Sequence, residues 1–166
     1  MAERIIIVKM GEMAVVSDGI KDVKILKTTL GSCIGIVLTD RERNVSGLSH
    51  IMLPSRSKDD PLLGKYADTA IPLLIEKIEK RGGKINNLKA YVVGGATMFG
   101  NGDLMLNIGM RNYEVVKAIL EKYDIPIVYE DVGGNSGRTV TYNHNYDEIH
   151  VKTLSKGVKN RKEVEV

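Results

Sequence analysis

The chain has 166 residues, 43% of them hydrophobic and 27% charged, a balance that fits one globular domain of ordinary size with a real core. No apolar run approaches the roughly 18 residues of a membrane span, and the opening MAERIIIVKMGE is interrupted by Lys9 and Glu12 before it reaches the length of a signal peptide. The net charge of +3 is mild and gives no reason to expect a nucleic-acid partner, while a single cysteine excludes an internal disulfide and a multi-cysteine zinc site and makes a cytoplasmic location the simple expectation.

In chain order, residues 4–8 (RIIIV) and 14–16 read as short strands around a turn near Gly11 and Glu12. Residues 23–30 are strand-like and end at Gly31-Ser32. Two further apolar runs, 34–39 and 45–53, flank the polar DRERN and form a hairpin that Pro54 stops. Residues 55–64 are a loop long enough to cover a site. A helix follows over about 66–81, with Ala67, Ile71, Leu74 and Ile78 on one stripe and Gly82-Gly83 as its stop. Pro72 fits its first turn if the helix begins at Asp68 or Thr69, and otherwise kinks it. Residues 88–93 form a strand that runs into a glycine-rich loop. Asn112 reads as the N-cap of a second helix ending near Tyr123, with Val115, Val116, Ile119 and Leu120 on its buried side. Strands at 125–129, 139–142 and 148–153 complete the chain. Two helices and about nine short strands point to an α/β fold: a layered sandwich of mixed, largely antiparallel β-sheets with two main helices, in a single domain over residues 1–156 with a charged tail at 157–166.

The hairpin carries the chemistry. Pairing Thr39 with Val45 sets Ile34 opposite His50, and a loop one residue tighter sets Cys33 itself there, with facing Cβ atoms roughly 4.5–5.5 Å apart. Only the tighter register puts both side chains on one face. A lone cysteine also reads as a small buried hydrophobe. Against that, Gly31-Ser32 imply a turn that presents the thiol, and such a turn exposes backbone N–H groups at Ser32 and Cys33 suited to an oxyanion hole. A neighbouring imidazolium would lower the thiol pKa and yield the attacking thiolate. His144 and His150 lie among Asn143, Asn145 and Asp147 and read as surface residues, and the three histidines form no metal motif. The glycine cluster matches no phosphate-binding pattern. Its functional reading is close approach by a partner at Gly94 and Gly95, with Phe99, the only phenylalanine, as either an exposed anchor or a plug for the core.

Several blocks together resemble the CheD family of chemoreceptor glutamine deamidases: Leu30-Gly31-Ser32-Cys33, His50-Ile51-Met52-Leu53-Pro54, Lys65-Tyr66-Ala67-Asp68-Thr69-Ala70, Gly94-Gly95-Ala96-Thr97-Met98-Phe99, Asn107-Ile108-Gly109-Met110-Arg111-Asn112, and residues 130–138 (EDVGGNSGR). The resemblance implies hydrolysis of glutamine side-chain amides on the cytoplasmic part of chemotaxis receptors, with Cys33 as nucleophile, His50 as general base and no metal or organic cofactor. It also implies binding to a CheC-type phosphatase through much the same surface. The family's orienting threonine falls at Lys27, which offers an imidazole no acceptor. Thr28 or Thr29, or a backbone carbonyl, is expected to take that role, Thr28 first. The competing readings are a non-catalytic adaptor acting through CheC, and a cysteine protease or acyltransferase sharing the same pair of residues.

Overall fold

The computed structural model describes residues 3–18, 23–97 and 107–154. Among them run β1 (Glu3–Ile7), β2 (Met13–Ser17), β3 (Val23–Leu30), β4 (Ile34–Asp40), β5 (Val45–Ile51), α1 (Ala67–Lys80), β6 (Leu88–Gly94), α2 (Ile108–Lys122), β7 (Ile127–Val132), β8 (Arg138–Asn143) and β9 (Glu148–Thr153). They build two sheets, ordered β1-β3-β8-β9 and β2-β5-β4-β6-β7. Pairing is antiparallel except for β1 with β3 and β6 with β7. The expected mixed, largely antiparallel sandwich with two helices is therefore the fold. The expected tail lies outside the described residues.

Three layers follow from side-chain alternation. In β4, Ile34, Ile36 and Leu38 point into a core shared with both helices, whereas Val37 packs with Leu48 of β5 against Leu26 and Tyr142 of the other sheet. A strand buried on both faces reads as a continuous apolar run, which is why IGIVL carries no polar alternation. On α1, the stripe of Ala67, Ile71, Leu74 and Ile78 is wholly buried. Each of the larger side chains contributes about 1.5–3 kcal/mol by leaving water. The helix begins at Ala67, so Pro72 sits inside it and not in its first turn. It ends as expected: Gly82 takes φ 99° and the Gly83 N–H donates to the Ile78 carbonyl at 3.0 Å.

The strands on either side of the turn at Gly11 form as expected, and they enter different sheets. Two expectations are corrected. The hairpin register is neither of the two considered. Asp40 pairs with Val45, so Gly35 stands opposite His50. The cause is the Asp40 carboxylate, which accepts from the N–H groups of Glu42 at 3.0 Å and Arg43 at 2.9 Å and draws Asp40 into the ladder; Asn44 closes the turn at φ 54°. Asn112 is not an N-cap. α2 begins at Ile108, a turn earlier, and Asn112 is a buried residue in its interior.

Candidate active site

Gly35 and His50 anchor the site. A Cβ on Gly35 would meet Leu30 Cδ1 at 3.0 Å and Thr28 Cγ2 at 3.6 Å, so the glycine lets β3 come close to the strand pair that carries His50. The backbone of His50 is held on its outer side too: its N–H donates to the Glu12 carbonyl at 3.0 Å and its carbonyl accepts from the Gly11 N–H at 2.9 Å. Like Leu48 two residues before it, the imidazole points into the layer between the sheets, where Thr28 meets it.

Thr28 Oγ1 lies 2.7 Å from His50 Nδ1 and donates to the Val8 carbonyl at 2.6 Å. A hydroxyl has one proton. With that proton on Val8, Nδ1 must carry its own hydrogen and donate to Oγ1. Nε2 is then the bare nitrogen, and it is buried without a hydrogen-bond partner. Burial pushes the His50 pKa down, with the Val8 carbonyl working the other way, so the ring is neutral near pH 7. Thr29, by contrast, is exposed and meets Thr139 Oγ1 at 3.3 Å. Lys27 and His50 both line an apolar cleft of about 400 Å³ with Ile7 and Met10, and the side chain hydrogen-bonded to His50 Nδ1 is that of Thr28, not Lys27.

Cys33 stands at the bend just before β4, two residues from the partner of His50 and on the diagonal to it. Its half-buried side chain packs with Leu30, Val93 and Val140, so it faces the same inter-sheet layer as the imidazole. Burial raises the thiol pKa. Both groups are thereby held in their neutral forms, unlike the thiolate–imidazolium pair expected from the sequence.

Gly94 and Gly95 are buried, and the close approach they permit is made by the protein's own chain. A Cβ on Gly94 would lie 2.2 Å from the Cys33 carbonyl oxygen, and one on Gly95 would lie 2.9 Å from the Gly109 carbonyl oxygen. The Cys33 carbonyl accepts from the Gly95 N–H at 2.9 Å. Behind them the buried Arg138 donates to the Gly94 carbonyl at 3.2 Å and the Gly133 carbonyl at 2.8 Å. Phe99 lies outside the described residues. His150 is exposed, but His144 is not a surface residue: it is fully buried between Ser46 Oγ at 2.7 Å and Asp18 Oδ1 at 3.3 Å. No group of three metal-ligating side chains occurs among the described residues, and no helix there is long and apolar enough to cross a membrane.

The sequence reading missed Gly35 and Arg138. The signal for the first was present: an isolated glycine inside an apolar strand marks close backbone approach. Arg138 carried no signal of its own beyond its place at the end of the EDVGGNSGR block; only the fold brings it under Gly94.

A family model described as CheD chemotactic sensory transduction matches residues 52–153. The chain is 44% identical over 140 residues to a protein of Clostridium botulinum named probable chemoreceptor glutamine deamidase CheD, covering 82% of this chain and 86% of that protein. A Clostridium kluyveri protein of the same name is 42% identical over the same length. The chain belongs to the CheD family. The family model's match begins two residues after His50, so it does not include Cys33 or His50. A crystal structure of a Neisseria meningitidis protein, described by the family model DUF152, superposes with a TM-score of 0.51 at 10% identity, over 80% of this chain and 64% of that one. That likeness shows the fold alone.

Proposed function

We propose that this CheD-family protein is a glutamine deamidase of the cytoplasmic domains of chemotaxis receptors, acting through a thioester on Cys33. One observation carries the reading: the Val8–Thr28–His50 relay fixes the tautomer that leaves Nε2 as an unpartnered base in the layer that Cys33 also faces. His50 Nε2 takes the thiol proton as sulfur attacks the glutamine carboxamide carbon, and backbone N–H groups at Ser32 and Cys33 hold the oxyanion. The imidazolium protonates the departing nitrogen, which leaves as ammonia. Water, deprotonated by the same Nε2, hydrolyses the thioester to glutamate and returns the thiol. Members of the family imply a CheC-type phosphatase as a second partner of this face. Incubation with a receptor fragment should raise the mass of a glutamine-bearing peptide by about 1 Da with release of ammonia and no chain cleavage. Cleavage would make the protein a protease, and no change in either product would make it an adaptor.

Thr28→Val keeps the shape of the side chain and removes the acceptor of the Nδ1 proton. It is expected to lower kcat by about tenfold to a hundredfold, while Thr29→Val leaves it unchanged. Equal effects of the two, measured by ammonia release, would place the orienting group elsewhere.

The pH dependence follows from the His50 shift. The base works only when neutral, and its pKa lies below the ordinary 6.5. The acid limb of kcat/KM is therefore expected below pH 6.5, with a flat profile through neutrality. An acid limb centred above pH 7 would require a different base.

A further inference from the structure

Asn112 sits in the interior of α2, fully buried, and uses both hydrogens of its side-chain amide. Nδ2 donates to the Ser32 carbonyl at 3.1 Å and to the Met52 carbonyl at 3.0 Å. Those carbonyls belong to the residue before Cys33 and the second residue after His50. Its Oδ1 is buried without a partner. A buried unpartnered acceptor destabilises a fold, so the packing of α2 alone does not account for an amide here; the two carbonyls it fixes do.

The Ser32–Cys33 peptide is planar and trans, so its carbonyl and its N–H point in opposite directions. Pinning the Ser32 oxygen against Asn112 turns the Cys33 N–H away from the helix. That N–H has no acceptor among the described residues, since the β4 ladder starts at Ile34. The peptide on the other side of Cys33 is locked as well, its carbonyl bound by the Gly95 N–H. Among the described residues, the one polar group of the Cys33 backbone left without a partner is the donor an oxyanion needs.

We infer that Asn112 is a positioning residue for the amide hydrolysis proposed above: it holds the Ser32–Cys33 peptide so that the Cys33 N–H is presented to the tetrahedral oxyanion, and ties that turn to the end of the His50 strand. The inference rests on the Cys33 thioester reading, and two rates separate them. Alkylation of Cys33 by iodoacetamide is a displacement with no oxyanion and reports only the thiol and its base. Amide hydrolysis needs the donor as well.

In Asn112→Ala, kcat on a receptor fragment is expected to fall by on the order of a hundredfold with KM little changed, while the alkylation rate keeps its wild-type pH profile. A parallel fall in both rates would mean that the thiol itself had moved, and an unchanged kcat would mean that the peptide needs no such support; either overturns the inference. Turnover that survives in Cys33→Ala would instead overturn the thioester reading. Should Asn112→Ala fail to fold, the unsubstituted protein answers with a peptide whose glutamine carboxamide is replaced by an aldehyde. The Cys33 sulfur adds to the aldehyde carbon, the thiol proton passes to the oxygen, and a thiohemiacetal forms. The backbone amide proton of Cys33 is expected to move downfield in its NMR spectrum on that addition. An unmoved resonance would overturn the assignment.

Discussion

Cys33→Ala is expected to reduce ammonia release by roughly four orders of magnitude or more, because the thioester route disappears and only binding and backbone donors remain. The fold should barely register the change. Cys33 is half-buried at the margin of a small cluster with Leu30, Val93 and Val140, and loses one sulfur atom's contacts. That is a cost of about 1 kcal/mol, or a few degrees in melting temperature. His50→Ala removes the base and should approach the same loss of turnover, and the double variant should be little worse than either single one, as for residues acting as a unit. Multiplicative losses would mean that the two act in separate steps. Deamidation that persists in Cys33→Ala, measured by the mass of the receptor peptide, would sink the thioester.

Gly94→Ala is expected to destabilise the fold severely, its added methyl making the shortest overlap of any described glycine. The new Cβ would stand 2.2 Å from the Cys33 carbonyl oxygen, at a backbone φ of 115°. The obstacle is backbone, so no rotamer change relieves it. Strain and overlap together are expected to cost about 3–5 kcal/mol, a fall in melting temperature of roughly 10 °C. Gly82→Ala provides the control. Gly82 has φ 99° but nothing within 4 Å of the added atom, so only the conformational cost of about 1 kcal/mol remains. Equal losses at the two positions would show that the approach of Gly94 to Cys33 is not tight. Relief of the overlap moves the Cys33 carbonyl, and with it the sulfur; kcat should therefore fall by on the order of a hundredfold in the molecules that still fold.

What could be read from the sequence divides by the range of the interaction responsible. The α1 stripe and its glycine stop were legible because both are written in residues three to five apart. β3 and β9 matched residue for residue, each bounded by turn residues. The hairpin register was lost to one side chain: Asp40 looked like the first residue of a polar loop, yet its carboxylate folds back on Glu42 and Arg43 and the residue joins the strand. Asn112 looked like a cap because asparagine precedes an apolar stripe. What placed it inside the helix was Gly109, whose missing side chain lets the first turn of α2 rest on the Gly95 and Ala96 carbonyls. His144 looked solvated among asparagines and an aspartate, but Ser46, 98 positions away in sequence, draws it inward. In the site, Cys33 and His50 could be named because they are the chain's scarce reactive side chains. Thr28 could be separated from Thr29 only by seeing which one faces the other sheet.

On the proposed mechanism the Val8 carbonyl, one residue past the end of β1, makes the first strand a condition of turnover. β1 is an edge strand that pairs with β3 alone, and Ile5 and Ile7 remain more than half exposed. Segments so lightly held open at a fraction of the free energy of global unfolding. Each opening takes away the acceptor of the Thr28 hydroxyl, which can then rotate and donate a hydrogen bond to a bare His50 Nδ1. The neutral ring's single hydrogen then exchanges through solvent to Nε2, and the base is switched off in a molecule whose core is intact. A protease that nicks the chain between Lys9 and Glu12 would leave a folded protein with a native thiol and an idle imidazole, a loss that thermal melting would miss and an activity assay would see at once.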